Sequence, residues 1–407
     1  MVHKTERRTW AEIDLDAIRQ NLKAIEKILD GKSKIMAIVK ADAYGHGAPF
    51  VARELAGCGV DFFGVSSLDE AMQLREFGIG QNILILGYSA PTDENVKKLA
   101  ECNIAQTVFD IECAKQISEK AKNRGKSVKL HIKIDTGMNR LGFSFTKKNK
   151  DKDIIAKIKS IKNTENIECE GIFTHFAAAD DQSSDFTHEQ FGLFCELVDS
   201  LEKEHIHFDI KHAANSGATI NFRETHLDYV RCGLILYGLC PSKSTGAEAM
   251  GLVPAMGLKT IISQLHTVKK GETVSYGRTY KPGRDIVCAT LPIGYADGFS
   301  RLLSNSASVL IKGKQVPVIG RVCMDQSMID VTNCINVKAG DIVTLFGRDE
   351  SGAGYIPVDQ VAEMMETINY EVVCLIGKRV PRVFYKNKKE CGQQNYIAPG
   401  PTGFEAQ

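Results

Sequence analysis

The sequence predicts an α/β protein: an N-terminal (β/α)8 barrel of the TIM type, followed by a mainly β domain. Three observations lead there. Eight short apolar runs alternate with helical stretches between residues 35 and 230. No GxGxxG follows any of these runs, which argues against a doubly wound open sheet. From about residue 245 helical spacing disappears and turn signals crowd between short strands.

The elements follow in order. Thr9–Leu15 (TWAEIDL) alternates apolar and polar residues and reads as a strand. It has no obvious barrel partner, so residues 1–15 are expected to pack with the β domain. An amphipathic helix follows over Asp16–Leu29, with Asp16 as N-cap and Gly31 just past its end. The barrel is expected to span 16–245. Its first strand, Ile35–Val39, ends on Lys40 and the loop ADAYGHG. The other seven are Asp61–Ser66, Asn82–Leu86, Ala105–Phe109, Val128–Ile134, Glu168–Thr174, Phe208–Ala213 and Tyr229–Val230. Between them lie the helical stretches Pro49–Gly57, Leu68–Gly78, Thr92–Cys102, Ile111–Arg124, Lys152–Lys162 and Phe186–His205. The β domain, 246–386, carries strands at Lys259–Val268, Ile286–Leu291, Ser308–Ile311, Val316–Ile319 and Ile342–Leu345, and one helix at Val358–Thr367. Residues 387–407 are rich in Gly, Pro, Gln and Asn and read as a flexible tail.

Composition narrows the function. The net charge is +1, from 51 basic and 50 acidic residues, so nothing draws the chain to nucleic acid or a membrane surface. No apolar run approaches the ~18 residues of a membrane span, and the polar start MVHKTERRTW lacks the apolar core of a signal peptide. Twelve cysteines occur without a CxxC pair, several inside apolar runs. That usage fits free thiols in a reducing cytoplasm, and no metal-ligand spacing is present.

In a barrel, chemistry belongs at the carboxyl ends of the strands. The first offers Lys40 and Tyr44, and the fifth Lys133, Asp135 and Arg140. The sixth ends Thr174-His175-Phe176, the seventh Asn215-Ser216-Gly217 and the eighth Arg231-Cys232-Gly233-Leu234. Each has an ordinary explanation alone: Lys40 snorkelling, His175 as a core histidine, Asn215-Ser216 as a helix cap. Together they point to a lysine for Schiff-base chemistry and a hydroxyl-and-backbone cradle for phosphate, formed by Ser216, Gly233, Leu234 and Tyr44. That pairing implies pyridoxal phosphate (PLP). Arg231, always protonated, would donate to the ring nitrogen and so weaken the electron sink.

The motifs themselves resemble a known family. Ala37–Gly47, Asp135–Gly142 (DTGMNRLG), His212–Ser216 (HAANS), Ser275–Gly277 (SYG), Leu291–Gly298 (LPIGYADG), Gly320–Gln326 (GRVCMDQ), Ile368–Glu371 (INYE) and Val380–Arg382 (VPR) are similar to those of alanine racemase. The likeness runs from about residue 9 to 385. It implies a PLP-bearing barrel, a β domain and a head-to-tail homodimer that interconverts L- and D-alanine, supplying D-alanine for peptidoglycan. By the same resemblance Lys40 holds the cofactor and serves as one base, and Tyr276, supplied in trans, is the opposing base. His175 and Arg231 form a network near that tyrosine. Tyr44, Ser216, Gly233, Leu234 and Tyr370 match phosphate-binding positions. Arg140 matches the residue at the cofactor hydroxyl and substrate carboxylate. Met324, also in trans, matches a substrate-contacting backbone position, and Tyr295 with Tyr370 an entrance constriction. Lys133 matches a lysine that is often carbamylated. Asp42 and Asn139 depart mildly from the pattern, where asparagine and glycine are common.

Other readings stand beside this one. A serine or broad-specificity racemase would share nearly every motif, because one hydroxyl shifts discrimination by only ~1–3 kcal/mol. A non-catalytic PLP-binding homeostasis protein shares the barrel and lysine but lacks the β domain and SYG. A decarboxylase of the same cofactor-barrel class uses other β-domain motifs.

Overall fold

The computed structural model describes residues 7–122, 125–242 and 250–397. Two compact units emerge: one of 17–43 and 48–253, the other of 1–16, 44–47 and 254–407. The first element, β1 (Thr9–Asp14), belongs to the second of these.

The first unit takes in all but the first two residues of the helix Leu15–Leu29, which buries Ile18, Leu22, Ile25 and Leu29 on one face. Its start differs from expectation. The side chain of Asp14, not Asp16, caps it, accepting from the Asp16 N–H at 2.9 Å. Either aspartate satisfies the sequence pattern of a cap, and only the strand's end decides between them.

Eight parallel strands then close a barrel: β2 (Lys34–Ile38), β3 (Phe62–Val65), β4 (Asn82–Ile85), β5 (Ile104–Val108), β6 (Val128–Asp135), β8 (Ile167–Phe173), β9 (Ile210–His212) and β10 (Tyr229–Cys232). A two-residue strand, β7 (Phe143–Ser144), pairs with the end of β6 outside the ring. The ring closes where β10 pairs with β2, Arg231 opposite Met36 and Cys232 opposite Ala37. The helices between strands start as their sequences dictate. Ser67, Thr92 and Asp110 each accept a first-turn N–H, from Glu70, Asn95 and Cys113.

Strand β6 (VKLHIKID) breaks the all-apolar habit of a parallel barrel strand. Leu130, Ile132 and Ile134 are fully buried, while Lys129, His131, Lys133 and Asp135 alternate with them on the opposite face. His131 and Lys133 thereby enter the barrel interior beside Phe62 and Phe173.

The second unit is mainly β. A large sheet runs in the order β15-β14-β17-β11-β1-β19-β20, and β12-β13-β16 form a smaller one. Here β11 is Met256–Ile261, β12 Gln264–Val268, β13 Ile286–Leu291, β14 Ser308–Ile311, β15 Lys314–Pro317 and β16 Ser327–Asp330. They are followed by β17 (Ile342–Arg348), β18 (Tyr355–Ile356), β19 (Arg382–Lys386) and β20 (Lys389–Gln394). Strand β1 sits inside the large sheet, antiparallel to β11 and parallel to β19.

Three readings of this half change. The single strand at Lys259–Val268 is two strands in two sheets, because Ile262 and Ser263 bond to Asp341 and Thr290 and turn the chain between them. The helix at Val358–Thr367 stops at Met364, before Glu366 adopts φ +54°, and a second helix runs Asn369–Cys374. The tail does not begin at residue 387. Asn387 and Lys388 both take positive φ (+52° and +61°), a hairpin turn that returns β20 onto β19. Composition hid this turn, since its second residue is Lys rather than Gly. The end of that tail, 398–407, lies outside the described residues.

Candidate active site

Lys40 stands where β2 ends, and the backbone after it is unusual. Ala41, Asp42, Ala43 and Tyr44 all take left-handed conformations, with φ between +51° and +55°. Left-handed geometry costs a non-glycine residue about 1–2 kcal/mol, so neighbouring contacts must hold this turn. Glu70, in the first turn of the helix Leu68–Glu76, accepts from the Ala41 N–H at 2.7 Å and the Ser66 N–H at 2.6 Å. Asp42 accepts from the Ala48 N–H at 2.8 Å and so ties the turn to the next helix. The position of Lys40 is thereby set by a strand on one side and two carboxylates on the other.

Around the same end of the barrel lie His175, Arg231, Lys133 and Arg140. Arg231 is buried and donates from Nη2 to His175 Nδ1 at 3.0 Å, to Thr174 O at 2.8 Å and to Ala213 O at 2.7 Å. A guanidinium has only donors, so His175 Nδ1 accepts and its ring proton resides on Nε2. Burial, then the charges of Arg231, Lys133, Arg140 and Lys40, hold the His175 imidazole well below its ordinary range and keep it neutral. Burial, then Arg140, lowers Arg231 to about 9, still protonated at neutral pH. Gln190 of the helix Phe186–Lys203 braces this end, donating to His175 O and accepting from Ala177 N–H.

Lys133 is 7% exposed, donates to Ile134 O at 3.0 Å and lies over the Phe173 ring at 5.1 Å. Burial, then Arg231, holds its amine well below the usual lysine range, against the opposing pull of Asp135. Asp135 is itself committed to the loop, its Oδ1 accepting from Gly137 and Asn139 N–H. The pocket is thus rich in cations and calls for an anionic ligand.

Two short helical turns start beside these strands. Ser216 opens the turn Ser216–Asn221, with Asn215 capping the Ala218 N–H at 2.9 Å. Gly233 precedes Leu234–Tyr237, and its N–H donates to Ser216 Oγ at 3.0 Å. The first N–H groups of such turns lack partners within the helix, which suits phosphate oxygens.

The second unit carries the remaining residues. Tyr44 packs against Tyr370 with ring centroids 6.1 Å apart. Burial, then Tyr370 and Cys374, pushes its phenol above the ordinary range, so its hydroxyl remains a donor. Gly45 follows at φ +78°, and a Cβ there would collide with the Val373 carbonyl oxygen. Arg382 of the VPR motif donates to Gly45 O at 2.8 Å and to the Ile376, Gly377 and Val380 carbonyls, so one guanidinium gathers Gly45 and the 376–380 segment of this unit.

Tyr276 sits on a one-turn 3-10 helix at the edge of the second unit, 71% exposed. Ser275, at φ +66°, donates to Arg321 O at 2.7 Å and braces it. Tyr295 and Met324 lie on two loops zipped together by Tyr295 N–H to Cys323 O and Ala296 N–H to Met324 O. Tyr295, Met324, Leu302 and Leu375 are exposed as well.

Glu70, Gln190 and Arg382 escaped the sequence reading. Glu70 looks like any acid in a first helical turn, and Gln190 like a solvent-facing amide. The arginine was visible only as part of a motif.

Comparison with known proteins gives a consistent picture. The family model for the alanine racemase N-terminal domain matches residues 13–241, and that for the C-terminal domain matches 255–384. An alanine racemase of Methanococcus maripaludis is 46% identical over 375 residues, covering 92% of this chain and 98% of the relative. The solved alanine racemase of Clostridium difficile superposes with a TM-score of 0.90 at 39% identity, covering 96% of this chain and 99% of that one. The alanine racemase from Bacillus anthracis, solved with bound L-Ala-P, gives 0.87 at 37% identity, covering 96% and 98%.

Proposed function

The chain belongs to the alanine racemase family, and from that premise we propose that it interconverts L- and D-alanine with PLP as cofactor and Lys40 and Tyr276 as its two bases. The observation that carries this reading is the cationic, strand-end pocket around Lys40, His175 and Arg231. A phosphate and a substrate carboxylate supply the negative charge this pocket needs. Ser216, Gly233, Leu234, Tyr44 and Tyr370 would hold the phosphate, Arg231 the ring nitrogen, and Arg140 the cofactor hydroxyl and the alanine carboxylate. When bound, PLP supplies an electron sink that acidifies the α-hydrogen of alanine.

The chain's own residues then move one proton. Racemisation needs a base on each face of a planar carbon. Lys40 Nζ serves the face from which D-alanine loses its proton, and Tyr276 Oη the face for L-alanine. A tyrosinate oxygen needs a hydrogen-bond donor, and the Nε2–H of His175 is one, because Arg231 occupies Nδ1. The exposure of Tyr276 and Met324 supports a head-to-tail homodimer in which these two residues act in the partner's site. Tyr295 and Tyr370 would narrow its entrance.

Purified protein with PLP is expected to bring the optical rotation of L-alanine to zero, and rotation that stays constant would sink this reading. The same assay with serine and lysine separates an alanine enzyme from a broad-specificity racemase. The C-terminal domain match over 255–384 covers the half that a barrel-only PLP-binding protein lacks.

We further propose that Lys133 is carbamylated. Its neutral amine attacks carbon dioxide: an N–C bond forms, a C=O electron pair moves to oxygen, and one proton leaves to solvent. The product is an anion that pairs with Arg140, whereas an ammonium there would repel it. Protein equilibrated with 13C-bicarbonate should show a carbamate carbonyl resonance that is absent from Lys133→Met. A well-resolved density map with a bare Lys133 ammonium would overturn the proposal.

A further inference from the structure

A second set of buried polar groups leads from Arg231 down the barrel interior, away from the strand ends. Arg231 Nη1 lies 2.8 Å from His212 Nδ1. His212 Nε2 lies 2.9 Å from His131 Nδ1, and His131 Nε2 lies 3.2 Å from Glu170 Oε1. The other Glu170 oxygen meets Lys129 Nζ at 2.8 Å. Both imidazoles are fully buried, and His212 stacks on Phe173 at 4.6 Å between centroids.

The charged ends dictate where every proton sits. Arg231 has no acceptor to offer, so His212 Nδ1 must accept. A neutral imidazole that accepts at Nδ1 carries its proton on Nε2, and His212 therefore donates to His131 Nδ1. The same logic puts the His131 proton on Nε2, where it donates to the Glu170 carboxylate. The reverse order would set a His212 N–H against an Arg231 N–H at 2.8 Å. A protonated His131 or His212 meets the same clash.

We propose that His131 and Glu170 are positioning residues for the site: they fix His212 as the neutral tautomer that accepts at Nδ1, and His212 thereby orients Arg231 so that its other nitrogen serves His175. Electrostatics and packing agree. Burial, then Arg231, holds His212 well below the ordinary histidine range. Burial also lowers His131, against the opposing pull of Glu170. For Glu170, burial acts upward but is outweighed by the hydrogen bonds from His131 and Lys129. Gly171 faces His131 in the pairing of β6 with β8, and a Cβ there would occupy the space of the His131 ring. The barrel wall is thus cut away to admit this imidazole. The inference rests on the proposed function only for the role of Arg231, not for the proton order.

Neutron diffraction from deuterated crystals of the PLP-loaded enzyme tests the proton order directly. Deuterons are expected on Nε2 of both His212 and His131, with none on Nδ1 of either. A deuteron on His212 Nδ1 overturns the proposal whatever the enzyme's activity. Variants test the consequence. Asparagine places its amide oxygen near where His131 Nδ1 lies, so His131→Asn keeps the acceptor for His212 and should retain kcat within about threefold. His131→Phe keeps the ring's shape without the acceptor and should lose about 10- to 100-fold in kcat, as outer-shell partners typically do, with a smaller change in KM for alanine and a shifted absorbance maximum of bound PLP. Equal kcat and equal spectra in the two variants would show that His131 only fills space. If the neutron result holds and only His131→Phe shifts the absorbance of bound PLP while wild-type enzyme fails to racemise alanine, the proposed function falls and the proton order stands.

Discussion

Lys40→Ala is expected to lower racemisation in both directions by about 10^4-fold or more, the combined effect of losing a base and the covalent anchor of the cofactor. The expectation follows from how the lysine is held. It leaves β2, and a run of four left-handed residues follows it, tied down by Glu70 and Asp42. Among the described residues the buried amine at this end, Lys133, donates to Ile134 O and lies over the face of Phe173. Lys40→Arg separates charge from nucleophilicity, because guanidinium keeps the cation and loses the reactive amine. It should be as inactive as the alanine variant. Initial rates from L- and from D-alanine, together with borohydride trapping and peptide mass mapping, provide the measurement. Retention of more than about a tenth of wild-type rate in Lys40→Ala would exceed what loss of a general base allows and contradict the assignment.

Tyr276→Ala should reduce racemisation by about 10^2- to 10^4-fold, the usual worth of a positioned general base, and should remove exchange of the α-hydrogen with solvent on the L-specific face. The residue's setting makes a sharper test available. Tyr276 protrudes from the second unit at 71% exposure, which suits a group destined for another chain's site. Mixing Lys40→Ala protein with Tyr276→Ala protein, each expected to be nearly inactive, tests the proposed homodimer, because subunit exchange should then generate heterodimers. In a dimer with two symmetry-related sites, one site of each heterodimer pairs an intact Lys40 with an intact Tyr276 from the other chain. Random exchange makes half the dimers mixed, so activity should recover to about one quarter of wild type. If Tyr276 served its own chain's site, mixing would restore nothing.

The legible part of the site was the part that breaks local rules. A lysine, a histidine and an arginine closing apolar strands stand out because parallel strands are otherwise apolar. Tyr276 lay in a short motif, SYG, whose meaning came through resemblance. Strand β6 carried a further signal that composition alone does not rank: Lys129, His131, Lys133 and Asp135 at every second position of a buried strand. Period-two polarity there means a polar face inside the barrel. Glu70 and Glu170 carried no such mark. An acid in a first helical turn, or one alternating with Cys169 in β8, reads as solvent-facing until its partners are known.

Local sequence specifies the alternation of strands and helices, the change to β structure after residue 245 and the residue types at the strand ends. These depend on local periodicity and turn chemistry, which neighbouring residues carry. Long-range pairing settles the rest. It split Lys259–Val268 between two sheets and set β1 between β11 and β19. It also put His131 opposite Gly171, Glu70 under the Ala41 N–H, and Arg231 between His175 and His212. The reason is register. Which residues face each other across two strands depends on pairings between segments tens to hundreds of residues apart. A hydrogen bond of about 3 Å is decided by that pairing, not by the identity of either residue alone.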